Sequence, residues 1–230
     1  MTCAENVSCV IPVFNGETFL GEAIASVLAQ THPPHETIVV DDGSSDRSYA
    51  TASAFGDAVR VLRRPHAGAP AARNAGITAA TGDFVALLDA DDLWHPEKLE
   101  RQLQRFRGQP ELGICLVIME NFWEAGLEDE EAAHRAAGRL RGTHTLGTVL
   151  ARRQVFDTVG LLDPAHPFDD AADWFLRAAA ASVATEVVPE VLASRRMHRD
   201  NSSRNSPTAD ALLSLIKRNL DHRRALAGED

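Results

Sequence analysis

The chain has 230 residues, 44% of them hydrophobic and 24% charged, with a net charge of −10. That composition suits one large folded domain and argues against a disordered chain. The acidic balance excludes a general nucleic-acid binder, which needs surplus lysine and arginine, but not a nucleotide ligand whose charge a metal ion can balance locally.

Three cysteines, Cys3, Cys9 and Cys115, show no metal-site spacing. Cys9 and Cys115 lie in apolar runs, which predicts packed core thiols and a reducing, cytoplasmic setting. No signal peptide opens the chain, and ICLVIM is too short an apolar run to span a bilayer.

In chain order, VSCVIPVF (7–14) is apolar almost throughout and predicts a strand buried on both faces. Residues 17–30 carry Phe19, Leu20, Ala23, Ile24, Val27 and Leu28 at helical spacing, and Pro33-Pro34 ends that helix. ETIVVDDGSSD (36–46) is a second strand ending in acid and glycine, and AVRVLRR (58–64) a third. Residues 69–81 form an alanine-rich helix with Gly82 as its stop, followed by the strand DFVALL (83–88). HPEKLERQLQRF (95–106) is a helix with Pro96 in its first turn.

Beyond residue 110 the pattern loosens. Residues 112–123 read as a strand, and 124–142 as a charged surface helix or loop. Residues 143–160 suggest a strand and a short helix, and 169–182 a helix with acids in its first turn. Residues 185–198 are extended, and 209–226 form an amphipathic helix that covers the core, pairs with a second subunit or rests on a membrane surface. The expected organisation is a nucleotide-binding part (1–110), an acceptor and catalytic part of the same domain (111–205), and a C-terminal helix (206–230).

Alternating strands and helices predict βαβ units and a Rossmann-like, mostly parallel sheet with helices on both faces. Ligands bind such sheets beyond the carboxyl ends of the strands. Asp41-Asp42 and Asp89-Ala90-Asp91 both stand at such ends, so one crevice should collect them. Asp89 and Asp91 repel each other unless a cation lies near, and hard oxygen ligands suit Mg²⁺ or Mn²⁺. Asp92 is a candidate helix cap.

Four ordered segments, VIPVFNGETFLGEAIASVLAQT (10–31), VVDDGSSD (39–46), ARNAGITAATGDFVALLDADD (72–92) and RMHRDNSS (196–203), resemble the family 2 inverting glycosyltransferases of the nucleotide-sugar GT-A fold. The resemblance is dense over 7–106, patchy from 145 to 203, and absent elsewhere. It implies a metal-dependent hexosyltransferase that uses a nucleotide sugar, with a UDP-linked donor expected. The acceptor, a saccharide, peptide or lipid-linked group, is not implied.

The resemblance assigns Pro12, Val13, Phe14, Asn15 and Glu17 to the nucleotide pocket. It gives Asp42 to the base, Asp89 to the ribose, and Asp91 to the metal and diphosphate, with Ala90 between them. Gly43 permits close backbone approach, and Gly68 lies on the loop near the nucleotide. Arg73 either reaches the crevice or pairs with a carboxylate such as Asp42. His198 matches a metal ligand, and its neighbour Arg196 faces the diphosphate. In GLLDPAHPFDDAADWFLR (160–177), Asp173 matches the catalytic base, while Ala172 stands where relatives carry Glu. Asp169 or Asp170 could substitute on the same helical face.

Two other readings compete. A nucleotidyltransferase would need a cationic glycine-rich loop after the first strand, which PVFNGETFL lacks. A non-catalytic nucleotide-sugar binder is permitted by Ala172.

Overall fold

The computed structural model describes residues 5–138, 140–165 and 170–201. Among the described residues nine strands form one sheet. Its first part is parallel: β1 (Val7–Val13) lies between β2 (Glu36–Asp41) and β4 (Phe84–Leu87), and β3 (Arg60–Arg63) lies beyond β2. On the far side of β4 follow β8 (Leu150–Arg152), β6 (Ile114–Trp123), β9 (Thr185–Met197) and β5 (Leu93–Trp94). β7 (Arg141–Gly142) pairs with β6. β8 runs antiparallel to β4, whereas the long β6–β9 ladder is parallel.

The buried character of β1 follows from its place in the sheet. Every residue of β1 is buried. Its side chains alternate: Val7, Cys9, Ile11 and Val13 pack into one core layer, and Val10 into the other. Helix α1 (Leu20–Leu28) buries Leu20, Ala23, Ile24 and Val27, the i, i+3, i+4, i+7 stripe of an amphipathic helix. Each of the larger aliphatic side chains contributes about 1.5–3 kcal/mol by leaving water. On the opposite face lies α3 (Ala69–Ala79). Gly76 lets it approach β1 closely: a Cβ there would lie 2.2 Å from Val10 Cγ1.

Several boundaries differ from the sequence reading. Helix α3 ends at Ala79, and Gly82 is no helix stop. A Cβ on Gly82 would sit 2.6 Å from the Asn6 carbonyl, so the residue is small to let the chain enter β4 beside β1. Helix α4 (Lys98–Gly108) starts after Pro96, whose carbonyl instead accepts the Thr31 N–H. The short helix α2 (Ser48–Ser53) and strands β5 and β7 carry no periodic signal and are visible only in the fold.

Helix α5 (Glu128–Ala136) has no buried residue, as a charged surface helix should. Helices α6 (Arg153–Val159) and α7 (Asp170–Ala180) pack through Trp174, which is fully buried, stacks on Phe156 and donates to the Gly160 carbonyl. Cys9 and Cys115 are free and buried. Cys3, Asp169 and the expected helix over 209–226 lie outside the described residues.

Candidate active site

A crevice of about 390 Å³ opens beyond the carboxyl ends of β1, β2 and β4. Its walls carry Pro12 to Gly16, Asp42, His66 and Arg73, and it reaches Asp89 to Asp92, Arg195 and His198. The convergence has a topological cause. Parallel β1, β2 and β4 end on the same side, and the chain after β4 turns back as β5. Leu93 pairs with Ser194 and Trp94 with Ala193, which brings the aspartate turn alongside the end of β9.

The loops after β1 and β2 are laced together. Ser44 Oγ accepts the Asn15 N–H, Ser48 Oγ accepts that of Gly16, and Asn15 Oδ1 accepts that of Ser45. Asn15 holds a left-handed backbone (φ 52°) within this lacing. Glu17 takes part in it: its carboxylate accepts the Arg47 N–H at 2.8 Å, and the residue is not among those lining the crevice. The SSDRS segment (44–48) carries the sequence signal for this lacing, since its short polar side chains suit backbone capping.

Asp42 is 1% exposed. It accepts the backbone N–H groups of Ala67 and Gly68, with Arg64 Nε at 3.4 Å and His66 Nδ1 at 2.9 Å. The His66 ring stacks on Phe14, centroids 3.9 Å apart, and Phe14 keeps 48% exposure at the crevice mouth. Gly43 has φ 79°, and a Cβ there would lie 2.9 Å from the His66 nitrogen. Its smallness admits the 64–68 loop. Gly68 (φ 91°) gives its N–H to Asp42 just ahead of α3.

Arg73 does not pair with Asp42. Its guanidinium bridges Asp89 and Asp170, each at 2.6 Å. Burial opposes the positive charge, but the two carboxylates outweigh it and hold the guanidinium firmly protonated. Burial likewise works against ionised Asp89, and Arg73 more than compensates, so that carboxyl is held below its usual range. Asn74 fastens the loop before α7 by exchanging two hydrogen bonds with the Leu162 backbone.

At the other end, Asp91 Oδ2 lies 3.0 Å from His198 Nε2 and 3.2 Å from Asn201 Nδ2. Asp92 is no cap for α4. It is 3% exposed, and its Oδ1 accepts the Arg196 N–H at 3.0 Å. Burial, reinforced by Asp91 and Asp89, raises the Asp92 carboxyl well above the usual range. Arg196 is turned away from the crevice, its guanidinium bound by Glu22 and Glu124. Strand alternation explains this, because neighbours on β9 face opposite sides, so Arg195 lines the crevice instead. The same period, read in the sequence, would have separated the two arginines.

Among the described residues no three His, Cys, Asp or Glu side chains converge as a metal cluster. The Asp91–His198 pair still fits a divalent ion. One carboxylate and one imidazole suit a site whose remaining positions are filled by water and diphosphate oxygens.

The sequence model described as Glycosyl transferase family 2 matches residues 8–161. The chain belongs to this family. An uncharacterized glycosyltransferase of Nostoc sp. is 40% identical over 112 residues, 47% of this chain and 35% of the relative. The Escherichia coli UDP-Glc:alpha-D-GlcNAc-diphosphoundecaprenol beta-1,3-glucosyltransferase WfgD is 40% identical over 99 residues, 42% of this chain and 39% of that protein. The chain thus spans well under half the length of these curated relatives.

Among solved structures, S. aureus TarS 1-349 in complex with UDP-GlcNAc superposes with a TM-score of 0.74 at 16% identity, over 93% of this chain and 65% of that one. The mannosyltransferase PcManGT from Pyrobaculum calidifontis, in complex with GDP-Man and Mn²⁺, gives 0.67 at 18% identity, over 100% of this chain and 66% of that one. The fold is accordingly the α/β GT-A fold.

Within this family 2 chain, α7 departs from the sequence reading. Asp173 accepts from Arg177 Nε at 2.8 Å in an i, i+4 pair, and it is not among the crevice-lining residues. Arg177 also donates to the Val159 and Leu161 carbonyls, so this pair ties α7 to the end of α6. Asp170, one turn earlier, is the α7 acid joined to the crevice, through Arg73. Burial raises the Asp170 carboxyl against the opposing pull of Arg73.

Proposed function

We propose that this chain transfers a sugar from a nucleotide-sugar donor, expected to be UDP-linked, to an acceptor hydroxyl with inversion. One observation carries the reading: Asp42, the Asp89–Asp91 pair and His198, from three separate segments, border a single crevice at the strand ends. The base sits between Phe14 and the Asp42 loop, with Asp42 oriented by Ala67 and Gly68 to accept an imide N–H. Asp89, oriented by Arg73, accepts from ribose hydroxyls.

Asp91 and His198 would hold Mn²⁺ or Mg²⁺, which supplies charge neutralisation for the leaving diphosphate when bound. Arg195 adds a cation on the same side. The Mn²⁺ and GDP-Man of PcManGT, and the UDP-GlcNAc of TarS, support a nucleotide sugar and a divalent ion. They leave the base open between uracil and guanine.

Attack by the acceptor oxygen on the anomeric carbon breaks the bond to the diphosphate. The acceptor proton passes to a carboxylate. Both acids carry an arginine partner, but that of Asp170 is Arg73, which lines the crevice and also holds Asp89, whereas Arg177 ties Asp173 to the end of α6; we therefore assign the role to Asp170. Burial raises Asp170 in the direction that suits a base near neutral pH.

The Asp173–Arg177 pair also favours a second reading, a donor-binding protein without turnover, since the residue that matches the family base is spent structurally. The test is a calorimetric screen of UDP- and GDP-sugars with and without Mn²⁺, followed by donor hydrolysis. Mn²⁺-dependent binding with turnover supports the transferase. Binding without turnover on any donor or acceptor supports the second reading. No uptake of any nucleotide sugar defeats both.

A further inference from the structure

We infer that Arg196 is a positioning residue that sets Asp91 against His198, and so tunes how strongly a divalent ion couples to nucleotide binding. The inference rests on reading that pair as the metal–diphosphate end of the crevice. Arg196 acts through the pair.

Its side chain is 7% exposed, and its guanidinium lies between the rings of Phe19 and Phe122, at 4.5 and 4.8 Å. Every edge of that fork is used. Nε donates to the Asp91 carbonyl at 3.1 Å, Nη2 to Glu22 at 2.7 Å, and Nη1 to Glu124. The backbone of the same residue holds the turn from the other side. Its N–H goes to Asp92 Oδ1, and its carbonyl accepts Asn201 Nδ2 at 3.0 Å. That amide nitrogen also reaches Asp91 Oδ2, and Asn201 Oδ1 accepts the His198 N–H.

One residue therefore touches the backbone of Asp91, the side chain of Asp92, and the asparagine shared by Asp91 and His198. The turn also joins β9 through the two-residue β5 pairing. A planar five-donor fork can serve a carbonyl and two carboxylates at once, whereas a lysine ammonium cannot span the same three acceptors. Glu22 on α1 and Glu124 after β6 fix the fork from opposite sides, so the clamp links three parts of the fold.

The test is calorimetric titration of UDP with Mn²⁺ and in EDTA, for the wild type, Arg196→Lys and the double variant Glu22→Gln/Glu124→Gln. Arg196→Lys keeps the charge but not the fork. It should lose about tenfold to a hundredfold of the Mn²⁺-dependent gain, the range for partners that orient metal ligands. Uptake in EDTA should stay unchanged. The double variant, which loosens the fork without removing it, should lose a smaller part of the same gain. An undiminished Mn²⁺ gain in Arg196→Lys overturns the inference. So does an equal loss with and without Mn²⁺, which would mark a general packing role. If wild-type uptake of UDP ignores Mn²⁺, the reading of Asp91 and His198 fails first, a result distinct from either of these.

Discussion

Lys98 is the sharpest test of the core packing. It is 0% exposed, and among the described residues no carboxylate pairs with it. Its Nζ donates to Gln102 Oε1 at 3.0 Å, lies 3.4 Å from the Val149 carbonyl, and sits 4.0 Å from the centroid of Trp94. The ring and the two acceptors favour the ammonium, but burial costs more. Burial lowers the group from 10.5 to about 7.

The consequence for stability has a definite sign. Between pH 7 and 10.5 the unfolded chain holds this proton and the folded chain does not, so stability rises with pH across that window. The full shift corresponds to about 5 kcal/mol, of which about 2 kcal/mol falls between pH 7 and pH 9. Lys98→Met keeps the length and removes the titration. It also leaves Gln102 Oε1 without its donor, a cost of about 1–3 kcal/mol that does not depend on pH.

Urea unfolding of both proteins from pH 6 to 9 isolates the slope. The wild type should gain about 2 kcal/mol on the methionine variant between pH 7 and 9. The thiols of Cys9 and Cys115, pushed up to about 12 by burial and electrostatically linked to Lys98, weaken the fold only as the unfolded thiols ionise near pH 9, at the edge of the range compared. A difference that stays flat with pH would refute the claim that Lys98 is neutral in the fold.

Three further outcomes are expected. Asp170→Asn should keep donor binding and lower transfer by about two to four orders of magnitude, while Asp173→Asn should retain transfer and unfold more easily; the reverse pattern returns the base to Asp173. Asp91→Asn should abolish the Mn²⁺-dependent part of UDP binding and leave the fold intact, checked by thermal shift with and without the metal. Gly76→Ala should destabilise by about 1–3 kcal/mol, because overpacking against Val10 outweighs the helix propensity gained; a stabilised variant in urea would show that α3 can move off the sheet.

The sequence by itself determined the parallel half of the sheet and the location of the crevice. An all-buried β1 must have a layer on each face, and acids placed just past strand ends must gather where parallel strands stop. It also placed Asp42, Asp89 and Asp91 there, since the backbone at those strand ends leaves little choice of direction, and the family resemblance added His198. The tertiary structure alone decided which side chain answers which. Arg73 meets Asp170 across 97 residues, and Arg196 is captured by Glu22 and Glu124. Ion pairs act over a few ångströms between segments far apart in the chain, and no local period records such distances. Even the arginine that faces the crevice hung on strand register, where a shift of one residue exchanges the two faces.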